Sequence, residues 1–220
     1  MLTARKLPQT AACRGTENTG RRAFTLIELL AVVAILGILI AVLVPTVTYS
    51  IRLTRDTAQK STFQQWAKAL DQYKSKYGYY PNLGSGYSSS TDTYYNLDEE
   101  TTLENFIRAV TGKNRDGSKL SDEQCQSYNQ NAFTFCTLPN DSFVKGDFEN
   151  GKLTDHTGNT NIRIVLDTDG DDFVLLKDLP EDTKPLHLKD GNKLKARIFI
   201  GTLKKDDTKK DGYRDIYVTQ

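Results

Sequence analysis

The stretch Ala23-Phe24-Thr25-Leu26-Ile27-Glu28 places one carboxylate at the start of a long apolar run. No residue between Leu29 and Ile51 is charged, and every residue up to Val44 is apolar. A helix needs about 20 apolar residues to span the hydrocarbon core of a bilayer. A carboxylate inside such a segment costs about 2.5–3.5 kcal/mol on insertion scales, so Glu28 is a functional candidate by default.

Residues 1–23, which precede this run, have the charge pattern of a leader. Their five basic residues exceed the single acid, Glu17, by four charges. An ordinary secretory signal is cut after its apolar segment, whereas here the basic segment directly precedes the apolar one. Positive charge before a span favours a cytoplasmic N-terminus, so the remaining chain is expected outside the inner membrane. A plain anchor or a buried core helix is the alternative explanation of Leu29–Val44.

The rest of the composition argues against catalysis and nucleic-acid binding. Without residues 1–23 the 29 basic and 28 acidic residues fall by five and one, which leaves a net charge near −3. No basic patch suggests a nucleic acid. His156 and His187 are the only histidines, and no nucleophile motif, phosphate loop or zinc-ligand spacing is present. The sequence therefore predicts a protein that is not an enzyme.

Two cysteines, Cys125 and Cys136, follow the apolar run and form an even pair in an exported segment. Such pairs are usually bridged in an oxidising compartment. A bridge would close a loop of roughly 12 residues and stabilise the fold by about 3 kcal/mol in the chain-entropy model. The sequence predicts this disulfide, with two small buried thiols as the alternative.

The apolar run continues into an amphipathic helix. Apolar side chains recur at spacings of three and four, which indicates one buried helical face. These side chains are Leu53, Phe63, Trp66, Ala67, Leu70, Tyr73 and Tyr77. Pro45 should bend the helix because it removes one backbone donor. Gly78 is the expected helix stop, before an extended exit at Tyr80-Pro81.

The remaining sequence predicts a small α+β head. After a loop from Pro81 to Thr93, a short helix is expected over Asp98–Val110, and a capping box over Ser121–Gln124. Short β-branched or aromatic runs between Gly, Asp and Asn clusters then predict an antiparallel sheet. The expected strands are Ala132–Cys136, Ile162–Leu166, Phe173–Leu176, Leu194–Ile200 and Ile216–Val218. A long helix on one small sheet is an α+β arrangement.

One acidic segment of the head has the spacing of a calcium loop. Asp167, Asp169 and Asp171 occupy the first, third and fifth positions of such a pattern. The glycine is misplaced for an EF-hand, and Asp178 stands where the terminal glutamate is expected. A hairpin turn rich in Asp and Gly explains the same residues without a metal.

The motif from Ala23 to Glu28 resembles the N-terminal processing and assembly motif of type IV pilins and of type II secretion pseudopilins. Further segments resemble the major pseudopilin. These are Ala69–Lys74, Gly78–Pro81, the Asp155–Asn159 turn, Asp211-Gly212 and Asp215-Ile216. The resemblance is strong over residues 20–81, weak over 82–150 and moderate over 151–220. Ala23 departs from the family, which usually has glycine there.

The resemblance implies how the N-terminus is processed. A prepilin peptidase would cut between Ala23 and Phe24, and a methyltransferase would methylate the new amine of Phe24. Glu28 of one subunit would then pair with the amine of a neighbour, because an expensive buried charge is relieved only in the correctly staggered assembly.

The resemblance also implies a calcium ion in the C-terminal loop, with its aspartates as ligands. These are Asp206, Asp207, Asp211 and Asp215. Lysines and Arg214 lie between these acids, so a self-paired charged loop is the alternative.

The expected architecture is the pilin fold. It comprises a leader over 1–23, a membrane and assembly helix over 24–51, its amphipathic continuation over 52–81 and a periplasmic head over 82–220. The expected function is that of a structural subunit of the type II secretion pseudopilus, which drives protein export across the outer membrane. Its partners would be copies of itself, other pseudopilins and the inner-membrane assembly platform.

Two alternative functions are also compatible with this sequence. One is a subunit of a surface type IV pilus used in adhesion, motility or DNA uptake. The other is a single-span extracytoplasmic binding protein that never polymerises.

Overall fold

The structure, a computed structural model, describes residues 24–84, 91–156, 158–175, 193–205 and 213–220. The predicted leader, including Ala23, lies outside the described residues. Three α-helices, two single-turn 3-10 helices (Asn140–Ser142 and Val144–Gly146) and six strands make up the regular structure of the described part. In chain order the α-helices and strands are α1 (Leu26–Tyr77), β1 (Thr93–Asn96), α2 (Glu100–Thr111), α3 (Asp122–Tyr128), β2 (Ile162–Leu166), β3 (Val174–Leu175), β4 (Lys193–Leu194), β5 (Ile198–Lys205) and β6 (Tyr213–Thr219).

Helix α1 runs for 52 residues and contains Pro45. The threonines around the proline donate to helix carbonyls, Thr46 Oγ1 to Val42 O at 2.8 Å and Thr48 Oγ1 to Pro45 O at 2.9 Å. This pairing satisfies their hydroxyls within the helix, as an apolar environment requires. The helix ends as predicted at Gly78, whose φ of 85° few other residues adopt. The bend at Pro45 stays a prediction.

Burial along α1 changes sharply with position. All residues from Phe24 to Arg55 are exposed in this single chain, and the first buried residue is Gln59. The predicted inner face is confirmed from Phe63 onward. Leu53 was predicted to lie on this face, but it is 54% exposed because the head covers α1 only after that point.

The sheet has four antiparallel strands in the order β1-β2-β5-β6. Alternate side chains of a strand point to opposite faces. Ile164 and Ile200 therefore join α1 and α2 in the main core, whereas Val165 and Phe199 form a second, smaller core with the β3–β4 pair. Both faces of the sheet are thus covered, and strand β2 is buried over its whole length.

The predicted α+β layout is confirmed, with local corrections. Helix α2 and the Ser121–Gln124 capping box are present. Ala132–Cys136 is not a strand: the backbone N–H groups of Phe135 and Cys136 both donate to Val110 O, at 2.9 and 3.0 Å, so this segment follows the end of α2.

The predicted 194–200 run divides into β4 and β5. Strand β1 begins at Thr93, where the sequence predicted the end of a loop, and it was not expected as a strand.

The chain is organised as two compact units, Met1–Thr48 and Tyr49–Gln220.

Candidate functional site

The N-terminus of α1 is a reciprocal capping box between Thr25 and Glu28. The backbone N–H and the hydroxyl of Thr25 both donate to Glu28 Oε2, each at 2.9 Å. The backbone N–H of Glu28 donates in return to Thr25 Oγ1 at 3.3 Å. Thr25 is therefore the N-cap residue and Glu28 the third residue of the helix.

This geometry gives the carboxylate of Glu28 a partner within its own subunit. A carboxylate in the first turn also interacts favourably with the positive end of the helix dipole. Both effects lower the cost of carrying Glu28 at the mouth of an apolar segment. The pairing with Thr25 was not predicted, although the Thr-x-x-Glu spacing is a sequence signal for it.

The apolar half of α1 has the properties of a membrane span. It is the one helix in the described part of the chain that is long and apolar enough to cross a membrane, with a mean hydropathy of 3.1 over its most apolar 18 residues. None of that window is buried within the chain. So much exposed apolar surface requires lipid or other protein to cover it.

A second group of functional candidates lies at the head's acidic turn. Asp92, which precedes β1, joins Asp167 and Asp169 after β2, and one carboxylate oxygen of each lies within 4.8 Å of the others. Asp171, which the sequence pattern included, pairs with Lys193 instead, with 2.8 Å between its Oδ2 and the lysine Nζ. Asp92 was missed because it is 75 residues away from Asp167 in sequence.

The surroundings of this aspartate cluster (Asp92, Asp167 and Asp169) favour neutralisation of its negative charge. Asp167 is only 1% exposed, and its two oxygens accept the backbone N–H groups of Gly170 and Asp172. Burial raises the pKa of Asp167, and it raises the pKa of Asp92 to about 6. The Oδ1 atom of Asp92 is buried without a hydrogen-bond partner in the described structure.

The predicted C-terminal ligand set stays a prediction, because most of it falls outside the described residues. Asp206, Asp207 and Asp211 lie outside them, and Asp215 is placed only by its backbone pairing with Leu203 between β6 and β5.

The predicted disulfide is not formed in this structure. Cys125, in α3, and Cys136, in the segment after it, are both half-buried free thiols. Burial raises the pKa of Cys136, which keeps this thiol protonated and unreactive at neutral pH.

Comparison with known proteins gives one match. Residues 18–44 match the family model described as the prokaryotic N-terminal methylation motif. No curated protein and no solved structure matches the chain.

The matched region contains the Thr25–Glu28 capping box and most of the apolar half of α1. It supports a type IV pilin-like protein, a class of structural subunits that are anchored by one N-terminal helix, processed by a prepilin peptidase and polymerised with other pilins. The long helix and the small antiparallel sheet are consistent with the pilin fold.

Proposed function

We propose that this chain is a structural subunit of a type II secretion pseudopilus, the periplasmic filament that drives protein export across the outer membrane. The observation that carries the proposal is the methylation motif on a helix whose apolar half is wholly exposed. The choice of a pseudopilus rests on the resemblance of the segments ending at Pro81 and Ile216 to the major pseudopilin.

The proposed mechanism begins in the inner membrane, with the leader in the cytoplasm and the head in the periplasm. A cut between Ala23 and Phe24 removes the leader's basic residues and creates an α-amino group, which methylation leaves positively charged. Glu28 is then four residues from this amine. Its carboxylate, held by Thr25 in the single subunit, is the acceptor that a neighbour's amine can reach during assembly.

Assembly replaces lipid around the apolar half of α1 by the same segment of neighbouring subunits. Packing against neighbours fixes the stagger of the helices, because only one stagger places an amine beside each carboxylate. An unpaired charge in an apolar environment is strongly unfavourable, so wrong staggers are rejected. The filament then acts mechanically, as a piston or a screw, on exported proteins.

Substitution of Glu28 tests this mechanism. The full-length Glu28→Ala variant should insert in membranes as the wild type does and should fail to assemble into filaments that sediment after shearing. Glu123→Ala removes an exposed carboxylate from the head and serves as the matched control. Normal filament formation by Glu28→Ala would contradict the proposal.

We also propose that the head binds calcium. Calcium takes six to eight oxygen ligands, mainly from carboxylates and carbonyls. The aspartate cluster fits such an ion, because its three carboxylates converge and Asp92 Oδ1 is buried without a partner. The C-terminal acids from Asp206 to Asp215 are the second candidate set, by resemblance.

Calorimetric titration of the full chain with calcium chloride separates the two sets. Asp92→Asn should abolish the binding heat if the aspartate cluster holds the ion, whereas Asp215→Asn should abolish it if the C-terminal loop does. Absence of heat with the wild-type protein would dismiss both sets.

The alternative functions differ in assembly and in genomic setting. A retraction ATPase gene nearby would favour a surface type IV pilus, and a secretion-channel gene would favour the pseudopilus. Cysteines introduced in the apolar half of α1 should cross-link into ladders in either filament, whereas a non-polymerising binding protein would give monomers only.

A further inference from the structure

Among the described residues, the head exposes very little large apolar surface, and what it exposes lies in one place. After Leu53 in the chain, Tyr79 and Phe133 are the large apolar side chains of the described residues that are exposed, at 39% and 47%. Single exposed apolar residues are ordinary. These two belong to one aromatic group, because Tyr79 contacts Tyr77 and Phe133 contacts Phe135, which in turn contacts Tyr77.

A lysine completes this surface. The ammonium group of Lys76 lies 3.7 Å from the centre of the Phe133 ring and 5.9 Å from that of Tyr77. No carboxylate within the described ranges forms a salt bridge with Lys76. Lys76, Tyr79 and Phe133, called here the Phe133 surface, therefore present two rings and one positive charge that the described residues do not neutralise.

The turn that carries Phe133 is held rigidly. The buried side chain of Asn129 donates to Ala109 O and Phe133 O, and accepts from the backbone N–H of Phe133 and the hydroxyl of Tyr77, at 2.7–2.9 Å. Ala132 adopts a left-handed conformation with a φ of 45°, which is rare without glycine. An exposed ring on so constrained a turn loses little conformational freedom when a partner covers it.

This turn lies at the C-terminal end of α2. Gly112, which ends α2, passes so close that a Cβ there would be 2.4 Å from Ala132 O. The opposite end of α2 carries Glu99 and Glu100, both exposed. With 12 residues, α2 is about 18 Å long, so these acids lie at the end of the helix that is remote from the Phe133 turn. Across the described ranges neither glutamate forms a salt bridge.

We infer that the Phe133 surface of one head binds the Glu99–Glu100 end of α2 in the head of a second copy of this chain. Open filaments form through head-to-tail contacts, which join two different surfaces of identical subunits. Two surfaces of opposite charge at the two ends of one helix meet that requirement. Aromatic residues are enriched at the cores of such interfaces, and complementary charges fix their register. The inference rests on the proposed polymerisation.

Charge reversal in the full-length chain tests the contact. Lys76→Glu and Glu100→Lys should each reduce the sedimenting filament fraction on the order of tenfold, which is about 1.4 kcal/mol per contact. The double variant should recover most of the loss, because it restores opposite charges across the contact. Phe133→Ser should lower the fraction without any change of charge. Lys119→Glu, at another exposed lysine of the head, should assemble as the wild type does.

The outcomes separate this inference from the function on which it rests. Wild-type filaments together with unimpaired Lys76→Glu filaments would overturn the contact and leave the polymer intact. A double variant no better than either single variant would also overturn it. If the wild-type chain forms no filament, the contact and the proposed function both fail.

Discussion

The two halves of α1 have opposite environments within one continuous helix. The half that ends near Thr48 buries nothing, whereas the half that begins at Gln59 supplies the buried rings of Phe63, Trp66 and Tyr73 to the core. Both halves are rich in apolar residues, but only the second interleaves them with charged ones. The apolar face of an amphipathic helix can be covered by the rest of its own chain. A helix that is apolar all round needs lipid or other subunits to cover it.

The largest expected effect is a loss of stability, and only substitutions in the buried half of α1 should cause it. Phe63→Ala removes a fully buried ring of the second half, which packs against Trp66. It should lower the free energy of unfolding by about 3–5 kcal/mol, as such truncations do in cores. The fluorescence of Trp66, the chain's one tryptophan, reports unfolding of the detergent-solubilised protein.

The matched change in the other half is Leu36→Ala. Leu36 is half exposed and is not a member of either hydrophobic core, so the unfolding midpoint of the head should not move. An equal loss of stability in both variants would remove the distinction between the two halves.

A smaller effect concerns pH. Burial raises the pKa of Asp92 in the folded head to about 6, from the ordinary pKa near 3.8 that it has in the unfolded chain. The unfolded state therefore binds fewer protons in this interval, so acidification from pH 7 to pH 4 stabilises the head through this residue. The gain is lost as the pH rises through 6.

Thermal melts in a chelating buffer at pH 5 and pH 7.5 measure this dependence. The melting temperature at pH 5 minus that at pH 7.5 should be larger for the wild type than for Asp92→Asn. The reason is that the amide of the variant cannot titrate. Identical pH dependence of the two proteins would show that the burial of Asp92 has no energetic consequence.

The smallest expected effect is the mass difference that shows whether Cys125 and Cys136 are bridged. The sequence predicts a bridge between Cys125 and Cys136, and the structure has both as free thiols. Mass spectrometry of the protein from its native compartment, with and without reductant, distinguishes them, since a bridge lowers the mass by about two daltons. A mass unchanged by reductant would support the free thiols.

Local patterns allowed most of the fold to be predicted. The three-four spacing from Phe63 to Tyr73 and the β-branched run Ile162–Leu166 each contain enough information to define an element and its buried side. Strand β1 was missed because Thr93-Tyr94-Tyr95-Asn96 is short and polar at both ends. Its pairing with β2, to which it is antiparallel, is what makes it a strand.

The candidate functional residues also divide into those that a local pattern indicates and those that it does not. Glu28 was predictable because its charge conflicts with its surroundings, and the Thr25 partner was readable from its spacing. Asp92 was not predictable, because only the pairing of β1 with β2 brings it close to Asp167. The segment 132–136 has strand-like composition, but its hydrogen bonds go to the end of α2.

The mass of the N-terminal peptide of membrane-purified protein tests the central claim, that this is a processed pilin-like subunit, most directly. A processed subunit should give a peptide that begins at Phe24 and carries one methyl group on its α-amine. A peptide that retains residues 1–23, or one that begins at any other residue, would contradict it.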